Sequence, residues 1–85
     1  MPLDADRTRV ARDLLGWSRE RLAQHAGVSP KAVEVLERIG VVREAEERRI
    51  RAALEREGIE LSSGPGVHGT GVKFRDPYAR ARRRA

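Results

Sequence analysis

The side chains best able to do chemistry lie close together in the segment 29–38. Lys31 and Arg38 are cationic hydrogen-bond donors, and Glu34 is an anionic acceptor. Because a helix turns about 100° per residue, Val33 on the inner side of a helix puts Lys31 and Arg38 on the outer side. The outer face and its flanks are then formed by Lys31, Ala32, Glu34, Val35 and Arg38. This set predicts recognition rather than reaction, since lysine suits guanine O6 and N7, glutamate suits cytosine N4, and alanine or valine suits a thymine methyl group.

The same sequence offers little to catalysis or to metal binding. It contains no cysteine, and its two histidines, His25 and His68, share no ligand spacing. We find no nucleophile beside a base and no carboxylate pair in an apolar pocket. The segment SSGPGVHGTG is rich in glycine, but neither a Lys-Ser pair nor a helix follows it, so it does not match a phosphate-binding P-loop. We therefore expect no enzymatic activity, no cofactor and no metal site, and a flexible turn in this segment.

The net charge of +5 is concentrated at the C-terminal end. Residues 1–72 hold twelve basic and twelve acidic side chains, whereas residues 73–85 hold six basic side chains and one acidic one. We call residues 75–85 the basic tail and expect it to be poorly ordered. Its arginines are Arg75, Arg80, Arg82, Arg83 and Arg84. A basic end on a neutral body predicts contact with the backbone of a nucleic acid; the alternative is a solvated terminus that only favours solubility.

Two helices are predicted in the first part of the chain. Residues 6–15 have apolar side chains at helical spacing, and Gly16 ends this helix. Ser18 is a good N-cap for a second helix, because its hydroxyl can accept a hydrogen bond from a backbone N–H of the first turn. Gly27 closes the second helix.

Two further helices and a hairpin follow. Ser29 caps the third helix, Pro30 occupies its first position and Gly40 ends it. A fourth helix is predicted over residues 43–57, with acidic side chains before basic ones, and Gly58 stops it.

The segments Ile59-Glu60-Leu61 and Val72-Lys73-Phe74 alternate apolar and polar residues around a segment rich in turn formers, which predicts a β-hairpin over residues 59–74. Two roles for its apolar residues stay open. Ile59, Leu61, Val72 and Phe74 either form a two-fold dimer, since a short exposed sheet edge is a pairing surface, or cover the core of their own domain.

Helices two and three, joined by a short turn that contains Gly27, have the arrangement of a helix-turn-helix unit. Residues 12–37, RDLLGWSRERLAQHAGVSPKAVEVLE, contain LGWS, then LAxxAGVS, then VxxLE. This pattern resembles the XRE family, the helix-turn-helix proteins of phage repressor and Cro type, and the resemblance covers about residues 6–57. It implies a mainly α, lambda-repressor-like bundle of about four helices, here followed by a β-hairpin and the basic tail. Residues 1–58 would be the DNA-binding domain.

The resemblance also implies roles for individual residues. Arg19, after the cap Ser18, is similar to the family residue that holds a DNA phosphate, and Ser18 is predicted to bind DNA with it. Arg12 and Glu37 match a structural ion pair between the first and third helices, and an orphaned member of such a pair would be costly. The positions that would face the major groove are Ser29, Pro30, Lys31, Ala32, Glu34 and Val35. Trp17 is expected to plug the core rather than stack on DNA, since tryptophan is highly buried on average.

The sequence departs from the family at two points. Pro30 cannot donate a hydrogen bond and Val35 cannot form one, so the third helix has fewer base-reading groups than many relatives. We therefore expect the basic tail and DNA shape to supply much of the affinity. After Gly58 the chain turns to a hairpin where the family usually continues with helix, and a hairpin dimer would place two recognition helices about 34 Å apart on a palindrome.

We therefore expect a bacterial transcriptional regulator, a repressor of promoters, that binds double-stranded DNA as a homodimer. An antitoxin or accessory protein whose hairpin and basic tail bind a partner protein is the alternative. RNA binding is less favoured, because RNA recognition relies on aromatic stacking and only Trp17, Phe74 and Tyr78 are aromatic. No apolar run is long enough for a membrane span or a signal region, so we expect a cytoplasmic protein at the bacterial nucleoid.

Overall fold

The computed structural model describes residues 3–62, 65–66, 69–76 and 78. In this part of the chain, four helices precede a small antiparallel sheet: α1 (Ala5–Leu15), α2 (Arg19–Ala26), α3 (Pro30–Ile39), α4 (Glu44–Arg56), β1 (Ile59–Leu61) and β2 (Val72–Phe74). The mainly helical class and the two strands are as the sequence predicts. No helix within these described ranges is long and apolar enough to cross a membrane.

Side-chain caps fix where the first three helices begin. The side chains of Asp4, Ser18 and Ser29 accept hydrogen bonds from backbone N–H groups in the first turns of α1, α2 and α3. Asp4 moves the start of α1 to Ala5, one residue before the predicted start. Gly27 ends α2 in the left-handed region at φ 70°, a conformation that costs glycine nothing, and only three residues separate α2 from α3.

The core lies where the helices meet the sheet. α2 packs against α3 and α4, α1 packs against α3 and β2, and α4 packs against β1. Fully buried apolar side chains from all six elements join one cluster, and they include Ala11, Leu22, Val33, Leu36, Ile50, Leu54, Ile59 and Val72. Leu3, which precedes α1 and which the sequence analysis did not assign to the core, is also buried, and its N–H donates to Glu47 Oε1 at 3.1 Å.

The sheet turns its apolar face to this core. Ile59 pairs with Phe74 and Leu61 pairs with Val72, so these four side chains share one face, because side chains alternate along a strand. Ile59 and Val72 have no exposed surface, and Leu61 and Phe74 pack partly buried against the same cluster. The alternative in which the hairpin covers its own core therefore describes these residues. The prediction that Ile59 and Val72 contribute to a dimer is therefore wrong, because neither side chain has exposed surface that a partner could contact.

Candidate nucleic-acid interface

The outer face of α3 is polar and open to solvent. The side chains of Lys31 and Arg38 are 73% and 58% exposed, while Glu34 and Val35 are half-buried. The inner face of the same helix holds Val33, which is fully buried. The structure thus places the sequence-predicted cations on the side of α3 that points away from the core.

Ala32 differs from its expected position. Only 7% of it is exposed, so its methyl group has little surface for contact with a base. The physical reason is its place on the helix, since Ala32 lies one turn before the buried Leu36 and shares its side of α3. Its proposed contact with a thymine methyl group is therefore corrected.

Glu34 connects the two cations of the outer face. Its carboxylate lies 3.0 Å from Lys31 Nζ through Oε2, and it accepts a hydrogen bond from Arg38 Nε through Oε1 at 3.1 Å. These are the i,i+3 and i,i+4 spacings at which helical side chains meet. The close approach of the Lys31 ammonium is the main reason that the pKa of Glu34 is lowered. The carboxylate is therefore charged at neutral pH. Its Oε1 is hydrogen-bonded to Arg38, whereas its Oε2 is buried and lies at ion-pair distance from Lys31 without a hydrogen-bond partner among the described residues.

The N-terminal ends of α2 and α3 carry exposed residues. Ser18 and Ser29 are exposed, and their hydroxyl oxygens accept from the N–H groups of Arg21 and Ala32 at 3.1 and 3.2 Å. Pro30 is exposed at the first turn of α3. Capping leaves each serine hydroxyl with a hydrogen to donate, which fits an additional contact with an anion.

A buried carboxylate holds α1, α2 and α3 together. The side chain of Glu37 has no exposed surface, and Arg12 donates to it from Nε at 2.9 Å and from Nη2 at 3.1 Å. Arg19 Nε donates to the same carboxylate at 3.2 Å. The structure therefore brings Arg12 and Glu37 together and adds Arg19, which the sequence analysis assigned to a phosphate alone.

The two arginines that bind the Glu37 carboxylate differ in their exposure to solvent. Arg12 also donates to the carbonyl of Trp17 at 3.0 Å, and the hydrogen bond with Glu37 raises the pKa of Arg12 above its already high ordinary value. Its guanidinium is thus fixed to the protein on two sides. Arg19 is 46% exposed, so its guanidinium is anchored at Nε and still reaches solvent.

Beside the outer face of α3 lies an open cleft of about 440 Å³. One side is formed by α3, and the other by the segment between α3 and α4 together with the first turns of α4. Its lining is Ser29, Lys31, Ala32, Val35, Val42, Arg43 and Glu46. The sequence analysis did not predict Val42, Arg43 or Glu46 at this surface, because no local signal in residues 40–46 indicates that the segment folds back beside α3. Lys31 and Arg43 place a cation on each side of the cleft.

Trp17 lies in the core rather than on a surface for stacking bases. It is 6% exposed and belongs to the apolar cluster. Its ring stacks on the ring of His25, with centroids 4.2 Å apart and planes 16° from parallel. The role as a plug fits this position.

Most of the basic tail lies outside the described residues. Arg80, Arg82, Arg83 and Arg84 belong to that part, and the predicted contact of the tail with a nucleic acid remains a prediction. Arg75 is described: it is exposed, and its backbone N–H donates to the carbonyl of Gly58 at 2.8 Å. The first residue of the basic tail therefore lies next to the turn between α4 and β1.

No group of three or more His, Asp or Glu side chains within the described residues is arranged to hold a metal ion. Comparison of the chain with models of protein families, with curated proteins and with solved structures gives no match.

Proposed function

We propose that this protein is a double-stranded DNA-binding transcriptional regulator of the XRE type, which inserts α3 into the major groove. The observation that carries the proposal is the solvent-facing side of α3, with two exposed cations on a helix whose other side is locked into the core. Only three residues link α2 to α3, as in helix-turn-helix units, where the first helix braces the second across the DNA backbone.

Arg19 supports this docking through its anchored and half-exposed guanidinium. A DNA phosphate needs donors that are fixed in place, and an arginine held by a buried carboxylate loses less conformational entropy on binding than a free one. Arg19 would therefore position the duplex without selecting its sequence, as phosphate contacts do.

The proposed dimer has to use other contacts than the apolar face of the hairpin. That face packs on the chain's own core, whereas the outer edges of two paired short strands are where another chain can add. A two-fold axis at such an edge would give a palindromic operator with half-sites about 34 Å apart. Repression at promoters in the bacterial nucleoid follows from the same proposal.

Selection of bound sites from random duplex DNA tests this function. A recurring palindrome with a spacing near one helical turn would support both DNA recognition and the dimer. A single half-site would support recognition by a monomer. Retention of no duplex at low salt would overturn the proposal.

A matched pair of lysine variants locates the interface. Lys31 and Lys73 are both exposed and both lie near a glutamate, but Lys73 stands on the outer face of the sheet. We expect Lys31→Met to weaken binding to the selected duplex by at least about tenfold, the cost of losing a specific base contact, and Lys73→Met to have a much smaller effect. Equal losses in gel-shift titrations would place the DNA elsewhere.

Binding of a partner protein is the second candidate function. The observation in its favour is a pair of exposed apolar side chains at the C-terminal end of α3. Ile39, the last residue of the helix, is 59% exposed, and Val41, two residues further on, is 68% exposed. Size-exclusion chromatography of the complex with the selected duplex, with Ile39→Ser and Val41→Ser as variants, separates the two candidates. These variants would keep DNA binding if the patch serves only a protein partner.

A further inference from the structure

The cleft beside α3 has the size and the apolar lining of a small-molecule site. Its volume of about 440 Å³ lies within the range of ligand pockets, roughly 300–1,000 Å³. Val35 on α3 and Val42 on the segment before α4 both line it. Each valine is half-buried and keeps some exposed surface, so the apolar part of a ligand has a place to pack.

The charged lining of the cleft includes a cation and an anion that have no partner. Arg43 is the N-cap of α4, and Glu46 lies three residues later in its first turn. Neither side chain makes a hydrogen bond or an ion pair with the residues that the structure describes. Lys31, the third charged residue of the lining, already lies 3.0 Å from Glu34. The unmatched charges are therefore one guanidinium and one carboxylate.

Glu46 differs in this respect from the other glutamates of its turn. Those pair with the arginines four residues later, as Glu44–Arg48 and Glu47–Arg51. Glu46 has Arg49 three residues later, but Arg49 donates to the carbonyl of Gly27 at 3.4 Å. The carboxylate of Glu46 is thus left for a group from outside the chain.

These two unmatched charges select between classes of ligand. A phosphate or a simple carboxylate would pair with Arg43 but would be repelled by Glu46. The side chains of an N-cap residue and of the residue three positions later are neighbours, as capping boxes show. An α-amino acid carries its ammonium group and its carboxylate on one carbon atom, so its two charges are neighbours as well.

We propose that the cleft binds an α-amino acid with an apolar side chain. Arg43 donates to the carboxylate of the ligand, and Glu46 accepts from its ammonium group. Val35 and Val42 contact its side chain. Ser29 is exposed in the same lining, and its hydroxyl has a hydrogen left to donate to the carboxylate.

The bound amino acid competes with duplex DNA. This effect rests on the proposed function, whereas binding of the amino acid does not. Lys31 and Val35 belong both to the cleft and to the outer face of α3 that is proposed to enter the major groove. A ligand in the cleft covers part of that surface, so the amino acid and the duplex weaken each other's binding by the same factor.

Calorimetric titration of the full chain without DNA tests the site. The probes are L-valine, L-leucine and L-phenylalanine. The tightest of these is then compared with glycine and with its own analogues that lack the amino group or the carboxylate. We expect each comparison compound to bind at least about tenfold more weakly, because it lacks a charged hydrogen bond or the apolar contact. No binding of the three probes, or equal affinity for an analogue that lacks one charge, would overturn the proposal.

Matched variants on α4 locate the site. Glu46→Gln and Arg43→Gln should each weaken binding of the amino acid by about tenfold, the loss of one charged hydrogen bond. Glu44→Gln and Arg48→Gln remove the same charges from the same helix but from outside the lining, so they should keep the affinity. Circular dichroism confirms that each variant is folded. Equal losses in the two pairs would overturn the assignment to the cleft.

Fluorescence anisotropy of the selected duplex tests the competition. A saturating concentration of the amino acid should weaken duplex binding to the wild-type protein by about fivefold or more, and the same concentration should have a much smaller effect on Glu46→Gln. An unchanged duplex affinity would overturn the competition while the calorimetric result stands. Failure of the wild-type protein to bind any duplex without the amino acid would overturn the proposed function instead.

Discussion

At the scale of single residues, the molecule uses its carboxylates in two contrasting ways. Glu37 has no exposed surface and binds two arginines, one of them through two hydrogen bonds. Glu34, one turn earlier on the same helix, is half-exposed and joins two solvent-facing cations. Burial makes the first a structural element whose loss is costly, and exposure leaves the second free to change partners.

Breaking the buried ion pair should be more harmful than removing it. Arg12→Met leaves Glu37 with the partly exposed Arg19 alone, so we expect a loss of about 3 kcal/mol in the free energy of unfolding. The double variant Arg12→Met/Glu37→Leu should be closer to the wild type, because no charge stays buried without its main partner. Urea denaturation followed by circular dichroism measures both. A double variant less stable than Arg12→Met would contradict this account.

The pKa of Glu34 should report its two ion pairs. Because the ion pair with Lys31 contributes most to lowering that pKa, Lys31→Met should raise it towards the ordinary value for glutamate. Arg38→Met should raise it less. Carbon-13 NMR titration of the Glu34 carboxyl group measures both shifts, and the reverse order would show that Arg38 is the stronger partner.

At the scale of helices and strands, the sequence predicts boundaries well and side-chain surroundings less well. The caps at Ser18 and Ser29, the ends at Gly16, Gly27 and Gly40, and both strands follow from local chemistry, which depends on a few neighbouring residues. The burial of Ala32, the core position of Leu3 and the cleft beside α3 depend on how distant segments pack. A helical wheel has no information about the neighbour that an element meets.

The loop between β1 and β2 contains a glycine with no room for a side chain. A Cβ on Gly66, at φ 49°, would lie 2.5 Å from the backbone nitrogen of Val72, whereas a Cβ on Gly69, at φ 71°, would meet nothing within 4 Å. We expect Gly69→Ala to cost about 1 kcal/mol for its positive φ and Gly66→Ala to cost about 1–3 kcal/mol more for the clash. Thermal unfolding of both variants measures the difference, and equal costs would mean that this loop rearranges freely.

At the scale of the whole molecule, charge and shape are divided between two parts. The described domain carries the candidate interface on α3, and the C-terminal end carries the excess positive charge. The sequence shows this division directly, since charge is additive along a chain.

Removing residues 79–85 should make DNA binding less sensitive to salt. The truncation keeps Arg75 and its hydrogen bond to Gly58 but removes Arg80 and Arg82–Arg84. Each lost phosphate contact should reduce the slope of log K against log salt concentration by about 0.9. Anisotropy titrations between low and moderate salt measure the slope. An unchanged slope would show that the tail does not contact the phosphates.

The indole of Trp17 gives the protein an internal optical reporter. Trp17 is the single tryptophan of the chain, and its ring is packed into the apolar cluster. Its backbone carbonyl accepts a hydrogen bond from Arg12, the arginine that also binds Glu37. Unfolding must transfer this ring from an apolar site to water, so its fluorescence should shift to longer wavelength as the cluster opens. The emission of the unmodified protein can therefore follow the integrity of the junction between α1, α2 and α3 without any added label.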